Sequence, residues 1–326
     1  MKKYSELVGI DISKETFDVF SDKTGHGKYQ NNKAGFETFL KSLDSDCCCV
    51  MEATGSYHQL LARFLYDQGV AVSVMNPIVI KRYVQMKRQH SKTDKSDARL
   101  IAAYAKDQEV RLWQPDPAHI TECRMLQTTV EVYFKQSTAL KNQLHSLRSQ
   151  GINEGLLVES LVHQIGELKN QIKKLEVEIE RLIREHEGEL ITNLTTIPGI
   201  GKKTAMLLIT CTNGFKYFEN HRQLSAYFGI APREWSSGSS IRGKSRITKV
   251  GTPRVRNHLF LCSFTACENN PQCKALYDRL VAKGKSKKLA LIAVANKLIK
   301  QVYGIAQSGL QYDPEYRRVS PVLVEN

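Results

Sequence analysis

Apolar and polar positions in the first third of the chain follow the short period of strands, then the longer period of helices. Leu7-Val8-Gly9-Ile10-Asp11-Ile12 is an apolar run carrying one acid, and Phe17-Asp18-Val19-Phe20 follows it, so the two read as a hairpin. Lys28-Tyr29-Gln30-Asn31 reads as a further strand beyond the turn Ser21-Asp22-Lys23-Thr24-Gly25. Phe36, Phe39, Leu40 and Leu43 have helical spacing. Cys47-Cys48-Cys49-Val50-Met51 is short and apolar, as a central strand covered on both faces is. Leu60, Leu61, Phe64 and Leu65 mark another helix, and Val70-Ala71-Val72-Ser73-Val74 another strand, stopped at Asn76-Pro77. Strands first, then helix and strand in alternation, predict a mixed α/β sheet flanked by helices.

Beyond Pro115-Asp116-Pro117 the period changes to that of heptads. Leu126, Val130, Tyr133, Ser137, Leu140, Leu144 and Leu147 alternate spacings of four and three, as do Leu161, Ile165, Leu168, Ile172, Leu175, Ile179 and Leu182. Gly151 and Gly155 lie in the break between the two runs, so a hairpin of two long helices is expected. Its seams pair either within one chain or between chains. The last part reads as mainly helical, with segments around Arg254 to Cys267 and Leu289 to Val302, and a polar tail from about Asp313. The expected domains are residues 1–115, 116–190 (a coiled-coil region) and 191–326.

The formal net charge of +14 changes this picture from fold to partner. A Lys and Arg surplus of that size points to an anionic partner, nucleic acid first. No stretch approaches the roughly 20 apolar residues a bilayer span needs, and the N-terminus lacks a signal peptide's apolar region, so a cytoplasmic, non-membrane protein is expected. The eight cysteines follow no CxxC spacing and read as reduced core thiols, with a zinc site from Cys262, Cys267 and Cys273 as the weaker alternative.

Candidate chemistry starts from acids in unexpected places. Asp11 interrupts an apolar strand and Glu52 ends another, whereas Asp94 and Asp97 stand three residues apart where a loop enters a helix. The i, i+3 spacing puts the last two on one helix face. Thr93 or Asp94 capping that helix is the plainer reading of the pair. Four acids meeting at one point would repel, a pair about 4 Å apart by roughly 4 kcal/mol at an effective dielectric near 20. Divalent cations remove that cost, and an all-oxygen set selects hard Mg²⁺ or Mn²⁺.

Basic candidates flank these acids. Lys81, Arg82, Lys87, Arg88 and Lys92 form a run that is either a solvated helix face or a phosphate track. Pro198-Gly199-Ile200-Gly201-Lys202-Lys203 reads as a helix-hairpin-helix turn, with Gly199 and Gly201 allowing close backbone approach and Lys202 and Lys203 adding charge. Its alternative is a turn between two structural helices. Downstream, Ser236-Ser237-Gly238-Ser239-Ser240 is a flexible loop by composition, yet Arg233, Arg242, Lys244 and Arg246 surround it with groups able to hold phosphate.

Gly9-Ile10-Asp11, Glu52-Ala53-Thr54-Gly55 and Lys92-Thr93-Asp94-Lys95-Ser96-Asp97-Ala98 resemble the DEDD motifs of the insertion-sequence transposases related to the Piv DNA invertase. Pro198-Gly199-Ile200-Gly201 and Ser237-Gly238-Ser239-Ser240-Ile241-Arg242-Gly243 resemble the hallmarks of that family's C-terminal domain. The resemblance implies an RNase H-like, RuvC-like first domain with Asp11, Glu52, Asp94 and Asp97 as metal ligands. It also implies Ser237 as a nucleophile forming a phosphoserine link to DNA; the neighbouring Ser236, Ser239 and Ser240 leave the register open. Donor and target DNA and assembly as a dimer to tetramer are implied as well, whereas guidance by a bridge RNA comes with the family alone. The function expected is site-specific recombination. Its rivals are a junction-resolving nuclease using activated water and a non-enzymatic helix-hairpin-helix DNA binder.

Overall fold

The computed structural model describes residues 4–87, 94–233, 236–237, 241–242, 246–248 and 250–315, with the side chains of residues 94–95, 233, 236–237, 241–242 and 246 outside the description. The chain divides into two compact units, Met1–Pro115 and Asp116–Asn326.

In the first unit, β1 (Glu6–Ile12), β2 (Thr16–Ser21), β3 (Gly25–Gln30), α1 (Lys33–Lys41), β4 (Cys47–Glu52), α2 (His58–Asp67), β5 (Ala71–Met75), α3 (Pro77–Met86) and α4 (Asp94–Asp107) follow in order. The five strands form one sheet in the order β3-β2-β1-β4-β5. The hairpin strands β1, β2 and β3 pair antiparallel, while β4 and β5 extend β1 in parallel. The expected mixed sheet flanked by helices is thus present.

Alternation along the strands separates two layers. Val8, Ile10 and Ile12 of β1 join Phe17, Phe36, Phe39, Leu61 and Leu65 in a core beneath α1 and α2. On the opposite face Cys48, Val50, Ile80, Ile101 and Ala105 form the core beneath α3 and α4. Phe17 and Phe39 are fully buried, each worth about 1.5–3 kcal/mol of removed apolar surface. Asn32 caps α1 by accepting from the Gly35 amide at 3.0 Å, and Asn76 caps α3 through the Ile78 amide at 2.9 Å.

The second unit begins with two long helices, α5 (Ala118–Ser149) and α6 (Leu156–Thr195). They pack along each other as a hairpin, turning at Gly151 and Gly155, both with positive φ. Val130 and Ser137 of the first seam, and Leu161, Leu168, Ile172, Ile179 and Leu182 of the second, are buried. α6 departs from helical geometry at Glu187 (φ −133°, ψ 34°). Next come α7 (Lys202–Thr212) and α8 (His221–Tyr227), then four two-residue strands, β6 (Pro232–Arg233), β7 (Ser236–Ser237), β8 (Ile241–Arg242) and β9 (Arg246–Ile247). The chain closes with α9 (Pro253–Asn269), α10 (Pro271–Ala282) and α11 (Lys287–Ser308).

One hydrophobic cluster runs from Ile120, Ile172 and Ile183 of the long helices through Leu208, Leu259 and Leu298. Residues 116–190 and 191–326, expected as separate domains, therefore share a core in one unit. α10 is not legible in the sequence, because Pro271 and a single buried cysteine mask its period.

α11 corrects another expectation: by length and composition it is apolar enough to cross a membrane. Val294, Leu298, Ile299 and Val302 bury its apolar face in the cluster, which accounts for the hydropathy without a bilayer. The expected tail is anchored at its start, since Gln272 donates to the Pro314 carbonyl at 3.1 Å and the Tyr312 hydroxyl bonds Asn270 at 3.1 Å. All eight cysteines are free thiols, and burial pushes Cys48 and Cys273 up to about 12. Such thiols are poor nucleophiles and poor metal ligands.

Candidate active site

Asp11 and Glu52 stand at the C-terminal ends of adjacent parallel strands. The register pairs Ile10 with Met51, so the next residues along, Asp11 and Glu52, are neighbours. Both follow residues of the α1/α2 core, which turns their side chains to the α4 face of the sheet. Both are half-buried.

α4 lies directly across β1 on that face. A Cβ added to Gly9 would meet the Ala98 carbonyl oxygen at 2.2 Å and the Ala102 nitrogen at 2.4 Å. The Arg99 guanidinium stands 5.4 Å from the Phe20 ring centroid, and Phe20 is the strand partner of Gly9. Farther along α4, Lys106 pairs with Asp22, beyond the far end of β2. The helix therefore runs antiparallel to β1, with its N-terminal turn toward Asp11. Asp94 is its first residue, and Asp97 is half-buried one turn in, 3.4 Å from the Ser96 hydroxyl.

The topology brings Asp11, Glu52 and the Asp94/Asp97 turn to one sheet edge. Among the described residues, no three His, Cys, Asp or Glu side chains are close enough to hold one metal ion, and the Asp94 side chain is outside them. In kind, the oxygen donors at this edge suit a hard divalent cation.

Asp18 belongs to the same face and is a residue that sequence reasoning misses. It lies directly opposite Asp11 across the hairpin and is buried. His26 Nε2 approaches it at 2.7 Å and Lys28 Nζ at 3.6 Å. The signal is present, since Asp18 interrupts an apolar strand as Asp11 does.

The basic candidates are placed unequally. Lys81 and Arg82 are exposed on α3, in no ion pair among the described residues. Lys87 is engaged instead: it pairs with Asp107 at 2.9 Å, and the Tyr83 hydroxyl donates to the same carboxylate at 2.6 Å. This ties α3 to α4. Arg88, Lys92 and Thr93 lie outside the described residues.

In the second unit the Pro198–Gly201 turn joins α6 to α7, and its glycine has a packing role. Gly199 has φ +106°, and a Cβ there would meet the Ala266 Cβ at 2.8 Å and the Cys262 carbonyl oxygen at 3.0 Å. Gly201 caps α7 in extended geometry. Lys202 pairs with Glu180 at 2.8 Å and Lys203 with Glu176 at 2.6 Å, both acids on α6. Lys202 and Arg184 hold the Glu180 carboxyl below its ordinary value. In this structure the two lysines brace the helices.

Ser236 and Ser237 form β7, paired with β8 so that Ser236 is opposite Arg242 and Ser237 opposite Ile241. Arg233 of β6 is opposite Arg246 of β9. A stretch whose composition suggests a flexible loop thus carries two short ladders. Ser239, Ser240 and Lys244 lie outside the described residues.

Comparison with known proteins places this arrangement. A DEDD transposase family model of the IS110 group matches residues 8–150, and one described as transposase IS116/IS110/IS902 family matches residues 191–278. The pilin gene-inverting protein of Moraxella bovis is 30% identical over 94% of this chain and 97% of its own length. A transposase for insertion sequence element IS1111A of Coxiella burnetii is 24% identical, over 90% of this chain and 87% of its own. A transposase for insertion sequence element IS1328 of Yersinia enterocolitica is 26% identical, over 79% and 82%. The chain belongs to the IS110 family of DEDD transposases and is a DNA transposase or recombinase.

Proposed function

We propose that the chain is a site-specific recombinase that moves an insertion sequence, cutting and rejoining DNA through a phosphoserine intermediate. The observation that carries this reading is the placement of Asp11 and Glu52 on adjacent strand ends beneath the acidic first turn of α4. An RNase H-like, RuvC-like first domain with a DEDD tetrad of Asp11, Glu52, Asp94 and Asp97 agrees with that placement.

The tetrad would hold Mg²⁺ or Mn²⁺. When bound, the metal neutralises charge building up on the scissile phosphate and its departing oxygen. The chain's own residues do the rest. The Ser237 hydroxyl oxygen attacks phosphorus, the phosphorus bond to the 3′ oxygen breaks, and the proton leaving Ser237 is balanced by one gained at the freed 3′ hydroxyl. Attack by the 3′ hydroxyl of the exchanged strand then reverses the step and releases Ser237. Each phosphodiester is exchanged for another, so no external energy source is needed. Arg233, Arg242, Lys244 and Arg246 would hold the phosphate, with Lys81, Arg82, Lys87, Arg88 and Lys92 along the DNA path.

Ser237 and the acids belong to different compact units. Assembly as a dimer to tetramer would let one protomer's acids serve a partner's serine. Donor and target DNA would be the substrates in the cytoplasm, and a bridge RNA would choose them. The helix-hairpin-helix turn with Gly199, Gly201, Lys202 and Lys203 would add backbone contacts.

The test incubates wild type and Ser237→Ala with labelled cognate DNA and Mg²⁺. Wild type should form a protein-DNA adduct that Ser237→Ala lacks. Cleavage retained by Ser237→Ala would establish the water-using nuclease instead, and salt-dependent binding without cleavage by either protein would establish a DNA-binding role alone.

A further inference from the structure

Half of the chain's net positive charge is concentrated in thirty residues. Residues 271–300 carry eight Lys and Arg against one acid, Asp278, a surplus of seven within the formal +14 of the whole chain.

Between α10 and α11 is an open cleft of about 600 Å³. Ala275 and Ala293 keep its floor low, while Arg279, Lys297 and Lys300 supply its charge. The last two, with Asn296, sit at helical spacing on one face of α11. Among the described residues, none of the three cations is in an ion pair. This contrasts with Lys202 and Lys203, which the fold neutralises. Asn296 Oδ1 accepts from the Ser225 hydroxyl at 3.0 Å, which orients its amide. The positive field reaches α8, where burial first and then the Lys300 and Arg222 charges push His221 below its ordinary value.

Three cations outside any ion pair, beside an oriented amide, match a run of phosphates. The size matches one strand: the volume is that of a pocket for a drug-sized ligand. Among the described residues no aromatic ring lines the cleft, so base stacking, the usual second element of single-strand sites, is missing. We infer that the α10/α11 cleft binds the phosphodiester backbone of a single nucleic-acid strand, independently of base identity. This deepens the proposed function and rests on it. The cleft lies on elements carrying none of the acids or serines assigned to the chemistry.

The test measures binding of short labelled single-stranded RNA, single-stranded DNA and duplex DNA of one sequence across a salt series. Wild type is compared with the Arg279→Gln, Lys297→Gln, Lys300→Gln triple variant. Loss of three phosphate contacts should lower the single-strand log-log salt slope by about 2 and weaken binding roughly a hundredfold at 0.1 M salt. Preference for RNA or for DNA in wild type identifies the source of the strand, and either supports the cleft if the variant loses it. A triple variant with the wild-type slope overturns the cleft and leaves the recombinase reading standing. Wild type that binds no strand in a salt-dependent way overturns both. If the triple variant does not fold, the Lys300→Gln substitution alone should lower the slope by about 0.7, and no decrease overturns the inference.

Discussion

Gly9 of β1 and Ala98 of α4 touch backbone to backbone: a Cβ on Gly9 would stand 2.2 Å from the Ala98 carbonyl oxygen. Asp11 is two residues beyond Gly9 and Asp97 one residue before Ala98, so this contact sets how closely the two acids approach. Gly9→Ala forces α4 off the sheet. It should destabilise the protein by about 3 kcal/mol, at the upper end of the usual cost of overpacking, and abolish DNA cleavage. Thermal melting and a cleavage assay check this, and wild-type stability in the Gly9→Ala variant would show that α4 does not seat on β1.

Asp11→Asn tests the acids without disturbing packing. Cleavage should fall by about a hundredfold to a thousandfold, as expected when a charge-stabilising group is lost from an active site. The fold should survive, because Asp11 is half-buried and keeps its shape as Asn. Wild type should also melt higher with Mg²⁺, by about 2.7 kcal/mol at a hundred times the dissociation constant, and Asp11→Asn should lose that gain. Equal Mg²⁺ stabilisation of both proteins would remove Asp11 from the ligand set.

Much of the first unit is legible because its strands and helices alternate with clear periods. Asp11 and Glu52 stand out as acids in apolar runs, and their meeting on one sheet edge follows from parallel pairing of β1 with β4. Asp18 interrupts an apolar strand in the same way and is as visible in the sequence; only its place opposite Asp11 is a tertiary fact. The heptads of α5 and α6 are visible, whereas their joining a core with Leu298 of α11 is not, since nothing local encodes it. The lysines after Pro198-Gly199-Ile200-Gly201 read as phosphate ligands. Their partners Glu176 and Glu180 lie more than twenty residues upstream, in a helix whose outer acids look merely solvated.

Those ion pairs make the turn's DNA contribution measurable. Glu176→Gln with Glu180→Gln frees Lys202 and Lys203, at a stability cost under about 1 kcal/mol each because the pairs are surface-exposed. Duplex binding should tighten, and its log-log salt slope should steepen by about 2 if both lysines reach phosphates. An unchanged slope would leave them as braces only.

His119 sets an acid limit on stability. Burial pushes its imidazole below the ordinary value, as does the charge of His186, whose ring stacks on it at 4.1 Å. With the folded value depressed, the unfolded chain takes up the proton first as pH falls. Stability is therefore full above the unfolded value near 6.5 and falls as pH drops from there toward the folded value. His119→Phe keeps the ring stacked and should flatten that fall in a melting series from pH 7.5 to about pH 5. The same acid slope in both proteins would assign it elsewhere.

The most direct measurement of the central claim is mass spectrometry of the peptide that stays attached to DNA after reaction with Mg²⁺ and proteolysis. The account predicts one peptide, with a phosphodeoxynucleotide on the Ser237 oxygen and a free 3′ hydroxyl on the other fragment of the same cleaved strand. Cleaved DNA with free 5′ phosphates and an unmodified Ser237 peptide would contradict it.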